Sequence, residues 1–152
     1  MSFAVAPVEE PPEGTFNELG YFALACVCGS MSFKVLGHPQ EDGFFAAPFS
    51  LICAHCGKSE ELFDIATHGY DAELGHGCYS TRGTGTQSEY SCPVCQSSDF
   101  LAQAGFSYEI DPVQELGAEN QERIQDLFDW FYLDVTCRNC GTVTSVSDYE
   151  CA

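Results

Sequence analysis

Eight of the ten cysteines of this chain fall into four close pairs: Cys26-Val27-Cys28, Cys53-Ala54-His55-Cys56, Cys92-Pro93-Val94-Cys95 and Cys137-Arg138-Asn139-Cys140, with Cys78 and Cys151 outside them. Thiols this close can serve as metal ligands, as a dithiol redox centre or as disulfide partners. The start, Met1-Ser2-Phe3-Ala4-Val5, lacks the basic residues that open a secretory signal. That predicts a cytoplasmic location, where thiols stay reduced and disulfides are rare. A redox pair normally opens a helix in a βαβ context, whereas these pairs are flanked by strand-like sequence. Metal binding is the expectation that remains. Two thiolates separated by two residues, on a turn closed by Gly, can aim both sulfurs at one ion about 2.3 Å away. Eight ligands make two four-cysteine shells, and a closed shell is structural rather than catalytic. Gly29, Gly57 and Gly141 follow the last cysteine of their pairs, where such a turn calls for positive φ, and Gln96 holds that place in the remaining pair.

The pairs sort into two similar units. Cys28, Ser30 and Phe33 match Cys95, Ser97 and Phe100 in spacing, and Leu51-Ile52-Cys53-Ala54-His55-Cys56-Gly57 matches Val135-Thr136-Cys137-Arg138-Asn139-Cys140-Gly141. Such an internal repeat predicts that each unit is one metal-nucleated subdomain.

From about Tyr21 to Ala152, twice over, the chain resembles the zinc-ribbon family, in which two cysteine-bearing knuckles at hairpin ends clamp one Zn²⁺. The resemblance implies two zinc ions per chain, one held by Cys26, Cys28, Cys53 and Cys56 and the other by Cys92, Cys95, Cys137 and Cys140. The single residue between Cys26 and Cys28 departs from the family's usual two-residue spacing. The alternative connectivity is a cross-brace, the first pair sharing an ion with the third and the second with the fourth. Ribbons serve many functions, so the resemblance implies a fold and a metal rather than an activity.

The expected fold is small and mostly β: two zinc-ribbon-like antiparallel units, with one short amphipathic helix in the second. Apolar, β-compatible stretches predict strands over Tyr21 to Cys26, Met31 to Gly37, Phe44 to Ile52 and Glu61 to Thr67, with a turn from Gly37 to Gly43. In the second unit Phe100 to Ile110, Trp130 to Cys137 and Thr142 to Tyr149 read as strands. Phe131, Leu133, Val135 and Cys137 alternate with Trp130, Tyr132, Asp134 and Thr136. Ile124, Leu127, Phe128 and Phe131 recur at helical spacing and place the helix over Glu119 to Asp129. The acidic, Pro-rich residues 1–19 read as a disordered arm, 20–79 as ribbon 1, 80–89 as a flexible linker and 90–152 as ribbon 2. Each unit is small enough to need a metal staple.

The 152 residues carry 5 Lys and Arg against 23 Asp and Glu, a net charge of −18. Five scattered cations, Lys34, Lys58, Arg82, Arg123 and Arg138, cannot build the basic face that phosphate binding needs. Direct nucleic-acid binding is therefore disfavoured, and no apolar run is long enough to span a membrane. The expected function is a zinc-stabilised, acidic, non-catalytic adaptor or regulatory protein that binds a protein partner, a basic one on charge grounds. Phe44, Phe45, Phe49, Trp130 and Tyr132 are candidates for an exposed contact patch.

Two other readings stay open. One is a metal-dependent or thiol enzyme using the segment from His68 to Cys78, which crowds His68, Asp71, Glu73, His76 and Cys78. The other is an acidic decoy that occupies the groove of a nucleic-acid-binding protein. His55, between two inward cysteines, is expected to face solvent, and Cys151 to be a frayed terminal thiol.

Overall fold

A computed structural model describes residues 3–7, 18–68, 82–108 and 130–150. Among the described residues nine strands and one helical turn follow in order: β1 (Phe3–Pro7), β2 (Glu18–Cys26), β3 (Phe33–Pro39), β4 (Phe45–Cys53), β5 (Ser59–Phe63), α1 (Ile65–His68), β6 (Ser88–Glu89), β7 (Phe100–Tyr108), β8 (Trp130–Cys137) and β9 (Val143–Glu150). All pair antiparallel in one sheet. The fold is small and mostly β, as the apolar alternation predicts. No helix among the described residues is long and apolar enough to cross a membrane.

The repeat is carried into the register. Phe33, Val35 and Leu36 of β3 oppose Cys53, Leu51 and Ser50 of β4. In the same way Phe100, Ala102 and Gln103 of β7 oppose Cys137, Val135 and Asp134 of β8. The bulge between Phe49 and Ser50 against β5 recurs between Leu133 and Asp134 against β9, at the same distance back from Cys53 and Cys137. Each copy is thus a three-stranded meander.

The strand that leads into each copy pairs with the other copy. β2 lies against β7, with Ala23 opposite Gln103 and Phe22 opposite Ala104. β6 lies against β3, with Glu89 opposite Leu36 and Ser88 opposite Gly37. Ala23 and Glu89 each stand three residues before the first cysteine of their copy, so the exchange is reciprocal. The copies meet where Phe33 pairs with Phe100.

Side-chain alternation gives the sheet an inner face. In β8 Phe131, Leu133, Val135 and Cys137 are buried while Trp130, Tyr132, Asp134 and Thr136 are half-buried. The sheet curls so that Phe63 of β5 stacks on Phe131 of β8 with centroids 4.0 Å apart, Phe49 flanking the same ring at 5.9 Å. Phe33, Phe49, Phe63, Phe100 and Phe131 are all fully buried, and one apolar cluster runs through both copies. Each such ring contributes about 1.5–3 kcal/mol on burial, so the two copies stabilise a common core.

Several expectations are corrected. Residues 3–7, assigned to a disordered arm, form edge strand β1 against β2, and β2 itself begins at Glu18. Phe3-Ala4-Val5-Ala6 is strand-compatible, and an edge strand is where a sheet admits a residue such as Pro7. Residues 82–89 are docked rather than a free linker. Arg82 donates two hydrogen bonds to the buried Asp64 carboxylate at 2.8 and 2.6 Å, the Gly83 amide donates to Ala47 at 2.7 Å, and Gln87 Nε2 donates to the Pro48 carbonyl at 2.8 Å.

The strand expected over Glu61 to Thr67 ends at Phe63. Asp64 caps the following turn, its Oδ1 accepting from the Ala66 amide at 3.1 Å and its carbonyl from that of Thr67 at 3.0 Å. The turn expected from Gly37 begins only at Gln40, because Gly37 sits beside a β3 bulge under two rings. A Cβ there would lie 3.0 Å from both Phe45 and Phe49. The helix expected over Glu119 to Asp129 lies outside the described residues.

Candidate metal centres

Each cysteine pair sits on a tight turn, which three of the four enter directly from a strand. The first cysteine of every pair is buried, Cys26, Cys53 and Cys137 as the last residue of a strand and Cys92 three residues beyond β6, while Cys28, Cys56 and Cys140 are exposed and Cys95 is half-buried. The turns close by amide-to-carbonyl bonds from Gly57 to Cys53, Gln96 to Cys92 and Gly141 to Cys137, at 2.9, 2.9 and 2.8 Å. In the first turn Gly29 donates to Cys26 at 2.8 Å, one residue closer in sequence. The missing residue between Cys26 and Cys28 is absorbed there by a tighter turn.

The residue after the second cysteine has positive φ in all four turns: 87° at Gly29, 73° at Gly57, 61° at Gln96 and 76° at Gly141. Gln96 is the non-glycine residue in this region among those described, and its Nε2 donates to the Cys92 carbonyl at 3.2 Å.

The sulfurs converge in two groups, Cys26, Cys28, Cys53 and Cys56 in one and Cys92, Cys95, Cys137 and Cys140 in the other, with all ligand atoms of a group within 4.8 Å of one another. The distances are 3.6 Å for Cys26 to Cys56, 3.7 Å for Cys28 to Cys53, 3.6 Å for Cys92 to Cys140 and 3.5 Å for Cys95 to Cys137. These are far beyond a disulfide bond of about 2.05 Å. They approach the edge of about 3.8 Å that four sulfurs make when each lies about 2.3 Å from a shared ion. Either group could hold a metal ion. The grouping joins the first pair to the second and the third to the fourth, which corrects the cross-brace alternative.

Hydrogen bonds and burial move thiols of one group in opposite directions. The Cys56 amide, with that of His55, draws the Cys53 thiol down to about 6, whereas Cys26 is pushed up to about 12: the Cys28 amide favours its thiolate, but burial and the surrounding sulfurs outweigh it. In the second group the Thr142 hydroxyl, 3.1 Å from Cys140, and the Thr142 amide bring Cys140 down to about 6, and burial raises Cys137 to about 11. The Asn139 side chain and the Ser97 amide lower Cys95 as well. Thiolates packed this closely repel one another, and a shared cation is what permits all four to ionise.

A link between the groups carries no signature in the sequence. The Ala54 amide donates to the Ser32 carbonyl and the Arg138 amide to the Asp99 carbonyl, both at 2.9 Å. Ser32 and Asp99 are equivalent positions, one residue before Phe33 and Phe100, and the Ser32 hydroxyl donates to the Asp99 carboxylate. The closing turns are thereby joined through two residues.

His55 is exposed, as its place between inward cysteines predicts. Cys78, Cys151 and the side chains of the segment from His68 to Cys78 lie outside the described residues. The expected aromatic patch is corrected: Phe49 is fully buried, and Phe44, Phe45, Trp130 and Tyr132 are half-buried. Phe45 sits edge-on to Tyr90 at 5.2 Å, and Trp130 stacks with Tyr132 at 6.2 Å. Among the described residues the exposed large apolar side chains are Val27, Met31, Val94 and Val143, beside the cysteine turns. A Val inside both opening pairs was the available signal. Compared with known proteins, the chain matches no family model, no curated protein and no solved structure.

Proposed function

We propose that this chain is a zinc-stabilised, acidic, non-catalytic interaction protein built from two zinc-ribbon-like units. Cys26, Cys28, Cys53 and Cys56 hold one ion, and Cys92, Cys95, Cys137 and Cys140 the other. The observation that carries the reading is the convergence of four sulfurs in each group, since a four-thiolate shell leaves no position for water or substrate. Sulfur-only tetrahedral sites select zinc or iron, and zinc, which has no redox chemistry, suits a purely structural clamp. Bound there, it supplies folding free energy, while the protein positions the sulfurs through its turn amides.

The partner is a protein with an apolar centre and a basic surround. Val27, Met31, Val94 and Val143 are exposed at the cysteine turns. Residues 26–32, 53–58, 92–98 and 137–143 contain none of the chain's 23 acids, in a protein of net charge −18. Apolar contact supplies affinity and the acids supply attraction at long range.

Native mass spectrometry and affinity capture from cell extract test both parts. Two zinc ions in freshly purified protein are expected, together with a captured protein that is lost from a Val27→Asp/Val94→Asp variant of unchanged metal content. Zero or one metal refutes the first part. Capture indifferent to those substitutions and to Trp130→Ala, or tight binding of duplex DNA at physiological salt, refutes the second.

A further inference from the structure

The reciprocal strand exchange bears on how the two centres fill. β2, which ends in ligand Cys26, pairs with β1 and with β7 of the other copy, and with neither β3 nor β4 of its own. The strand leading to Cys92, β6, pairs with β3, and the Tyr90 amide continues that ladder to the Val35 carbonyl at 2.8 Å. The opening turn of each centre is therefore held in place by a strand that belongs to the other.

The middle of the sheet repeats this. Cys53 pairs with Phe33, Phe33 with Phe100 and Phe100 with Cys137, so one row of backbone partners runs from a ligand of the first centre to a ligand of the second. Beside it runs the link from Ala54 through Ser32 and Asp99 to Arg138. Both phenylalanines of the row are fully buried in the shared core.

We propose that the two centres load as one cooperative pair: an ion in either raises the affinity of the other. The inference rests on the metal reading above. If one centre's strands separate, β2 or β6 is withdrawn from the other centre and the core that both copies cover is opened. A first ion must therefore order most of the elements that the second site needs. The second ion then binds a site already assembled, which is positive coupling in the thermodynamic sense. Coupling is reciprocal, so neither centre leads by necessity.

The test is native mass spectrometry of the full, reduced, metal-free chain titrated with Zn²⁺. At one equivalent, independent and equal sites would leave about half the molecules with a single ion, and coupled sites are expected to leave fewer than about a quarter, the rest carrying none or two. A single-ion species near or above half overturns the proposal and leaves the metal reading intact. No binding at any ratio overturns the metal reading itself.

A second measurement uses Cys140→Ser, which touches only the second centre. Competition with a chelator is expected to show at least about a tenfold weaker hold on Zn²⁺ at the first centre. Wild-type affinity there overturns the coupling.

Discussion

Phe33 and Phe100 face each other as antiparallel partners, and each is the fifth residue after the second cysteine of its own copy. A pairing of equivalent residues in antiparallel strands places a local two-fold axis between them. The matching registers, bulges, turns and exchanged strands are arranged about that axis. Both rings are fully buried.

That symmetry predicts equal sensitivity. Phe33→Ala and Phe100→Ala should each cost about 3–5 kcal/mol, because each opens a cavity in the one core. Denaturant unfolding of either metal-loaded variant, followed by far-UV circular dichroism and by Trp130 fluorescence, should give one coincident transition. Two separated transitions would show that the copies fold apart.

The turn residue after each second cysteine gives a pair of opposite outcomes. Gln96 has a φ of 61°, which costs an L-residue about 1–2 kcal/mol, so Gln96→Gly should be neutral or stabilise by up to about 1 kcal/mol despite losing its bond to Cys92. Gly141→Ala, forced to the same region at a φ of 76°, should destabilise by about 1 kcal/mol or more. Melting temperatures of the two variants should move apart.

Gly83 tests whether residues 82–89 are docked. A Cβ there would lie 2.2 Å from the His38 ring, and His38 is buried. Gly83→Ala should cost about 1–3 kcal/mol through forced displacement of the imidazole or of the segment. Unchanged stability, measured by denaturant titration, would mean that the segment is not seated.

Tyr21 and Asp134 predict a dependence on alkaline pH. The Tyr21 hydroxyl donates to Asp134 Oδ2 at 2.6 Å across β7, and burial, then that bond and the carboxylate's charge, hold the phenol far above its ordinary value of 10. Because the folded value is the higher one, the unfolded chain loses its proton first. The contribution is complete below pH 10 and fades as pH rises above it. Tyr21→Phe should lower stability by about 1–2 kcal/mol at pH 7 and flatten that alkaline decline. A variant that declines like wild type above pH 10 would assign the effect elsewhere.

Local chemistry wrote much of this fold into the chain. Trp130 to Cys137 alternates with period two and is a strand with that alternation in burial. Gly29, Gly57 and Gly141 after three of the pairs foretold turns with positive φ, and Gln96 adopts the same conformation in the fourth without the glycine that would signal it. The repeat foretold which pairs converge. What the chain alone could not show is that β2 and β6 change places. Strand pairing between distant segments depends on which edges are open once each meander has formed, and no local periodicity records it. The same holds for Phe49, expected among the exposed aromatics, whose ring is fully buried beside Phe131 of a strand more than eighty residues away. Ligand identity is a matter of residue type and spacing within a few residues. The union of two four-cysteine units in one core is decided by contacts between residues as far apart as Phe33 and Phe100, where burial of apolar surface outweighs the entropy of joining them.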